Sequence, residues 1–237
     1  MTRRHAVAAG VVLAAAVFVG SVGVLAVASG GGAPADRLER AVTAMEALHG
    51  VRFTFEATSR ASGNASAGGD LITVVRGSGE LAPPDRLHLR ITVGGSAHDI
   101  VLIGDRAWVD GRRADRRAVG PLGRPLAALE AIRGAGTVRA VGPGWAAGGL
   151  TARFRIELGP LELLDRLGPL GEDAGVAPGS SGVIEVDLGL FDDRIRAQSF
   201  SARESAEGSE TGLDQVETIY RIEYIGWGQP VTIREPE

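Results

Sequence analysis

Ser96, His98 and Asp99 carry the side chains of a hydrolytic triad within four consecutive positions. A triad works only when the imidazole reaches the hydroxyl on one side and the carboxylate on the other. Residues crowded onto one turn and strand start cannot do that, and the chain has no Gly-x-Ser-x-Gly elbow, so the trio reads as a polar turn. His5, His49 and His88 show no pair at the His-x-x-x-His spacing of a metal-ligating helix. His49 falls at the C-terminal end of a helix pattern, where a cation suits the dipole, and His88 falls on the polar phase of a strand. Asp192-Asp193 lacks the further oxygen ligands of a calcium loop and reads as a β-turn. Gly142-Pro143-Gly144 and Gly148-Gly149 do not have the phasing of a dinucleotide loop and open no helix.

Two missing residue types narrow the chemistry further. The chain has no Cys, which removes disulfides, thiolate metal sites, iron–sulfur clusters and a Cys nucleophile. It has no Lys either, so all 25 basic residues are Arg. A P-loop, a Schiff base and a Ser-x-x-Lys hydrolase all need that amine. Net charge is −4 over 237 residues; Arg3 and Arg4 are the only charges of the first 35, which leaves the remainder at −6. A mildly acidic domain without a basic stripe is a poor partner for nucleic acid. These residues call for no metal and no cofactor and point away from an enzyme.

The elements that position the remaining residues begin with a segment of another kind. Arg3-Arg4 precede an uncharged run, Ala6 to Ala28, rich in Val, Ala and Leu. Spanning a bilayer takes about 20 apolar residues, whereas a signal-peptide core needs roughly 7–15. The length argues for a retained anchor, with positive charge holding the N-terminus inside and the rest outside. Ala26-Val27-Ala28 and Ala33-Pro34-Ala35 also offer small-residue cleavage patterns, which would release the protein near Ala28 or Ala35. Residues 1–35 are thus a signal or single-pass anchor with a short Gly-rich linker, and 36–237 are one domain.

That domain reads as α+β. Leu38, Ala41, Val42, Met45 and Leu48 share one face of a helix from Asp36, which Gly50 stops. Period-two alternation follows: Val51, Phe53, Phe55 and Ala57 against Arg52, Thr54, Glu56 and Thr58. Residues 61–70 read as a loop. Leu71–Val75, Leu87–Val93, Ile100–Ile103 and Ala107–Val109 continue an antiparallel meander through tight turns. Residues 112–124 read as a basic connection and Pro125–Arg133 as a short helix with Leu126, Leu129 and Ile132 on one face. Strands return at Thr137–Val141 and Leu150–Leu158. Leu161, Leu163, Leu164 and Leu167 suggest another helical turn, and 168–182 a loop. Val183–Leu188, Ile195–Ser201 and Val216–Tyr224 complete the sheet, with Glu204–Glu210 as a hairpin tip and Val231 and Ile233 in a last short strand. Trp108, Trp145 and Trp227 read by default as core fillers.

Several pieces in order resemble a known family. They are the helix ending Ala47-Leu48-His49-Gly50, the strand Val51-Arg52-Phe53-Thr54-Phe55, and Pro83-Pro84-Asp85-Arg86-Leu87 entering a strand. Asp99 to Val109 follow, with an apolar strand, a Gly104-Asp105 turn and the aromatic strand at Trp108. The chain closes with Tyr224-Ile225-Gly226-Trp227-Gly228-Gln229-Pro230-Val231-Thr232-Ile233-Arg234-Glu235-Pro236. Together they are similar to the mycobacterial lipoproteins of the LppX/LprG type, within the LolA- and LolB-like carriers. The resemblance implies a strongly curved antiparallel sheet, a half-open barrel, with helices plugging its concave face. It implies non-catalytic binding of a lipid, glycolipid or lipoprotein acyl chain in the cell envelope. The pocket would then be lined by the inward residues Phe53, Phe55, Leu89, Leu126, Leu129, Ile132, Leu161 and Leu164. The family's lipidated Cys is missing here, so a retained N-terminal helix would take its place as anchor. A tethered domain suits a receptor better than a shuttle. An envelope sensor or scaffold that binds another protein and holds no lipid is the alternative on the same fold.

Overall fold

The computed structural model describes residues 33–63, 71–115, 132–133, 137–159, 181–205 and 213–236. Helix α1 covers Pro34–Glu46 and opens on a proline at its first turn, where a missing N–H costs nothing. It ends earlier than the sequence suggests, at Ala47. Gly50 matters for another reason: a Cβ there would strike the Gln229 carbonyl oxygen and sit 2.8 Å from a Val231 methyl.

Eleven strands follow: β1 Val51–Gly63, β2 Leu71–Ala82, β3 Arg86–Val93, β4 Ser96–Ile103, β5 Arg106–Val109, β6 Arg112–Ala114, β7 Val138–Ala146, β8 Gly149–Leu158, β9 Ser181–Gly189, β10 Ile195–Ser205 and β11 Leu213–Trp227. They form one antiparallel sheet in the order β6-β5-β4-β3-β2-β1-β11-β10-β9-β8-β7. The chain thus walks outward from β1 to one edge, restarts at the other edge and returns to pair β11 with β1. Gly94-Gly95, Asp110-Gly111 and Ala147-Gly148 all have positive φ, the backbone that two-residue hairpins need to match strand twist.

The strands run longer than their apolar alternation announces. Residues 61–63 continue β1, and 112–114 form β6 where a connection was expected. β7 extends through Gly142 to Ala146, with a bulge between Ala140 and Gly142. Val231 and Ile233 form no strand; the segment after Trp227 runs as an irregular strap. Of the helix expected over Pro125–Arg133, only Ile132 and Arg133 fall among the described residues, and the turn at Leu161–Leu167 lies outside them. Among the described residues no helix is long and apolar enough to cross a membrane; the run Ala6–Ala28 lies outside them.

The sheet has two chemically distinct faces. The inner face carries the main core. One row, Val109, Ile100, Leu89, Gly79, Phe53 and Tyr224, crosses β5, β4, β3, β2, β1 and β11 in register. Helix α1 adds Leu38, Ala41, Val42 and Met45 to the same cluster. The outer face is charged along β1, β2 and β11 but carries a smaller apolar cluster of Ala82, Val101 and Trp108. The strap lays Ile233 over that cluster.

Candidate functional site

The inner face is the candidate site, and its floor is built by pairing aromatic rings with glycines. Phe53 stands opposite Gly79 and Phe55 opposite Gly77. A Cβ on Gly79 would collide with the Phe53 ring and lie 2.7 Å from a Leu89 methyl; one on Gly77 would lie 2.9 Å from the Phe55 ring. The rings therefore lie down across β2 instead of standing off the sheet. Phe53 also meets Tyr224 edge-on at 6.4 Å, and Phe55 meets Tyr220 at 6.2 Å, separations at which aromatic pairs attract.

Of the residues expected to line a pocket, the structure brings Phe53, Phe55, Leu89 and Ile132 into one apolar cluster with α1. Arg133, next to Ile132, donates to Glu46 at the end of α1 at 2.7 Å. Leu126, Leu129, Leu161 and Leu164 lie outside the described residues.

Tyr224 was not singled out by the sequence. Its side chain is fully buried on the floor, and among the described residues its hydroxyl has no hydrogen-bond partner. Burial pushes the phenols of Tyr224 and Tyr220 well above their ordinary value, with the neighbouring Tyr220 adding to the shift on Tyr224. Tyr224, enclosed on all sides, therefore stays neutral, while Tyr220 is only partly buried. A buried hydroxyl normally finds a partner, so this one is a polar point in an apolar surface. The sequence signal was only a Tyr on the apolar phase of β11.

A second buried polar group sits deeper on α1. Arg37 donates from Nε to Asp193 Oδ1 at 2.6 Å and from Nη2 to the Gly189 carbonyl at 3.1 Å. Its guanidinium lies 5.8 Å from the centre of the Phe154 ring. The Asp192-Asp193 turn thus serves ion pairing: Asp193 takes Arg37, and Asp192 takes Arg196 at 2.6 Å. On the outer face, buried Asp187 accepts from Thr151 at 3.1 Å and from Arg153 at 3.0 and 3.2 Å. These bonds raise the Arg153 pKa.

The polar-turn residues do not assemble into a catalytic relay. Ser96 and His98 share one strand face, whereas Asp99 points to the other. His98 Nδ1 pairs with Asp110 Oδ2 at 2.9 Å, and Asp99 pairs instead with His88 Nε2 at 2.7 Å. The Asp99 amide and His98 hold the Asp110 carboxyl below the usual carboxylate range. Among the described residues no three His, Asp or Glu side chains converge to hold a metal.

Two clefts of about 350 and 560 Å3 open on the outer face. Arg52, Glu80, His88 and Arg90 border the first, and Glu56, Arg76, Arg221 and Glu223 the second. Their charged walls, tied by Arg52–Glu80 at 2.8 Å and Arg76–Glu56 at 2.6 Å, do not suit an acyl chain. The tryptophans divide. Trp108 is buried in the outer cluster, and Trp227 packs on the core with Arg196 4.5 Å over its ring. Trp145 is 64% exposed and fills no core.

No protein-family model matches the chain, and no curated protein does. Solved structures do. LprF from Mycobacterium bovis superposes with a TM-score of 0.50 at 12% identity, over 86% of this chain and 96% of that one. The fold is that of LprF. The lipoprotein LppX of Mycobacterium tuberculosis aligns over 85% of this chain and 98% of its own, with a TM-score of 0.48 and 13% identity. A LolA-superfamily protein, NE2245 from Nitrosomonas europaea, aligns over 83% and 93%, with a TM-score of 0.34 and 9% identity. These are proteins of the group that the helix end, the strand pieces and the closing motif resemble. At such identities the likeness to LprF is one of fold.

Proposed function

We propose that this domain binds a lipid, glycolipid or lipoprotein acyl chain against the inner face of its sheet, outside the cytoplasmic membrane and without catalysis. The observation that carries the reading is the buried Tyr224 hydroxyl, which has no partner among the described residues and lies within the apolar cluster of the floor. A core that existed only for stability gains nothing from an orphan hydroxyl, which costs about 1–3 kcal/mol. A bound ester or amide carbonyl would accept from it, while the acyl chain lies over Phe53, Phe55, Leu89 and Ile132. Each CH2 so buried contributes about 0.8 kcal/mol. Leu126, Leu129, Leu161 and Leu164 complete the proposed lining.

Arithmetic supports a curved, half-open sheet. Eleven strands about 4.8 Å apart would spread over about 48 Å if flat, whereas the 13 residues of α1 make a rod about 20 Å long. That rod alone cannot cover a flat face, yet the floor is buried from Ile100 on β4 to Phe154 on β8. A curled sheet would bring distant strands over one another. The apolar run Ala6–Ala28, retained, would anchor the domain to the membrane; cleaved, it would release it. Apart from that membrane, the lipid is the partner, with no role for nucleic acid or a cofactor.

A second reading has one observation on its side. Trp145, Leu150 and Phe191 are exposed together, as expected of a sensor or scaffold that binds another envelope protein and holds no lipid. Native mass spectrometry of the full chain, extracted from a membrane-containing host, separates the two. A discrete acyl lipid in the wild type, depleted in Tyr224→Phe while the fold is kept, supports the lipid reading. A folded chain that carries no lipid and takes up none when offered overturns it.

A further inference from the structure

Three large apolar side chains stand in water at one end of the sheet: Phe191 is 93% exposed, Trp145 64% and Leu150 53%. They are one feature. Trp145 and Leu150 are directly opposed across the β7–β8 hairpin, and the amide of Leu190, next to Phe191, donates to the Leu150 carbonyl at 3.4 Å. Ala147-Gly148 turn tightly between Trp145 and Leu150, so these two side chains flank one turn and Phe191 stands on the neighbouring one.

The same end receives the chain from its N-terminal segment. Arg37, in the first turn of α1, is bonded to Asp193 and to Gly189, which bracket Phe191 in the β9–β10 turn. Pro34 opens that helix, and five residues separate it from Ala28, the end of the apolar run. Fully extended they reach about 17 Å. A domain tethered so briefly cannot turn this end far from the bilayer surface. Charges beside the tip are mixed: Arg40 and Asp193 pair at 3.9 Å, as do Arg194 and Asp192. Attraction to anionic headgroups is therefore not the main term, and the aromatic and aliphatic groups are. Trp and Phe favour the interfacial zone of a bilayer, where an apolar ring is buried beside polar headgroups.

We propose that Trp145, Leu150 and Phe191 form a membrane-docking tip that inserts into the outer surface of the bilayer and fixes the domain with its β7–β8 and β9–β10 turns against the lipid. The inference rests on the anchor reading of Ala6–Ala28. It does not depend on which lipid, if any, the inner face holds.

The test uses the full chain reconstituted into vesicles of phosphatidylcholine and phosphatidylglycerol. The protein has no native Cys, so single nitroxides can be placed by Phe191→Cys and by Ser96→Cys, the latter at the opposite end of the sheet. Brominated acyl chains additionally report on Trp145. The expected result is co-flotation with vesicles, a position-191 label more accessible to oxygen than to a water-soluble nickel complex, and the reverse at position 96. Bromolipid quenching of fluorescence should be lost in Trp145→Phe. A chain that floats with vesicles but shows both labels in water overturns the docking tip, leaves the anchor standing and turns the patch toward a protein partner. A chain that does not float overturns the anchor, and the inference with it.

Discussion

The Phe53 ring occupies the space that a side chain on Gly79 would need. The two residues are opposed across β1 and β2, and Leu89 closes the same space from β3, 2.7 Å from a Cβ built on Gly79. Gly79→Ala must therefore displace a ring and a methyl, and it should lose about 1–3 kcal/mol, the usual cost of overpacking. Gly77→Ala should lose more, because its Cβ would strike the Arg90 carbonyl oxygen and a backbone atom cannot swing aside. Gly226→Ala, whose Cβ would meet Arg52 no closer than 3.4 Å, should stay near wild type. Urea denaturation of the three variants checks the order; equal losses would remove the ring-on-glycine account of the floor.

The Arg37–Asp193 contact closes α1 onto the β9–β10 turn across 156 positions of sequence. The guanidinium is 3% exposed and the carboxylate 40%. Asp193→Ala removes the carboxylate from the buried guanidinium, which keeps its bond to the Gly189 carbonyl and its place beside the Phe154 ring. Removing one partner of a fully buried pair costs about 3–5 kcal/mol, and the exposed carboxylate puts this case at or below the lower end. Arg37→Met, which keeps the apolar stem, should cost less than Asp193→Ala. The double variant should fall well short of the sum. Additive losses in a double-mutant cycle would mean that the pair is not coupled.

Alkaline pH gives a separate readout. The chain has two tyrosines, Tyr220 and Tyr224, and burial raises both above the ordinary value of 10.0. Below that value both phenols are neutral whether folded or not, and stability is untouched. Above it the unfolded chain releases protons that the folded chain keeps, so stability falls as pH rises from about 10 toward the raised folded values. In Tyr220→Phe, which leaves the fully buried Tyr224 as the one phenol, the tyrosinate band should stay silent until the domain unfolds, then appear together with loss of circular dichroism. Gradual ionisation in a folded domain would place that phenol in contact with water.

Much of this fold was legible in the sequence because one wet face imposes alternation. Val51, Phe53 and Phe55 against Arg52, Thr54 and Glu56 fix both the strand and its inward side, and burial follows that pattern. Alternation fails where both faces are partly exposed, so β6 at Arg112–Ala114 and the outer half of β7 leave no apolar pattern in the sequence. Val231 and Ile233 have the spacing of a strand, yet among the described residues no neighbouring strand offers them a ladder. Residue type favours burial for Trp145, yet it pairs with Leu150 beside the turn of the edge hairpin, and both stay exposed there. The orphan hydroxyl of Tyr224 was invisible for a related reason: sequence places a residue on a face but does not say what its polar atom meets.

The strap carries its own prediction. Ile233 is 4% exposed and packs with Trp108, Val101 and Ala82 on the outer face. Polar contacts hold it there: Arg86 donates to the Ile233 carbonyl at 3.3 Å, Arg106 pairs with Glu235 at 2.5 Å, and the Gly228 amide donates to the Gly50 carbonyl at 2.9 Å. The Arg106 guanidinium also lies 5.6 Å from the Trp108 ring. If the strap covers this cluster, Ile233→Ala opens a cavity and should cost about 2–5 kcal/mol. Glu235→Gln, which breaks an ion pair exposed on both sides, should cost under about 1 kcal/mol. Ending the chain after Gly228 should uncover Trp108 and shift its emission to the red, read against Trp108→Phe to separate it from Trp145 and Trp227. An unshifted spectrum with unchanged stability would mean that the strap does not hold the outer face. A loss would explain why the closing Gly-x-Pro-Val-x-Ile segment needs its spacing: the glycine turns beside Gly50, and Ile233 must land on Trp108.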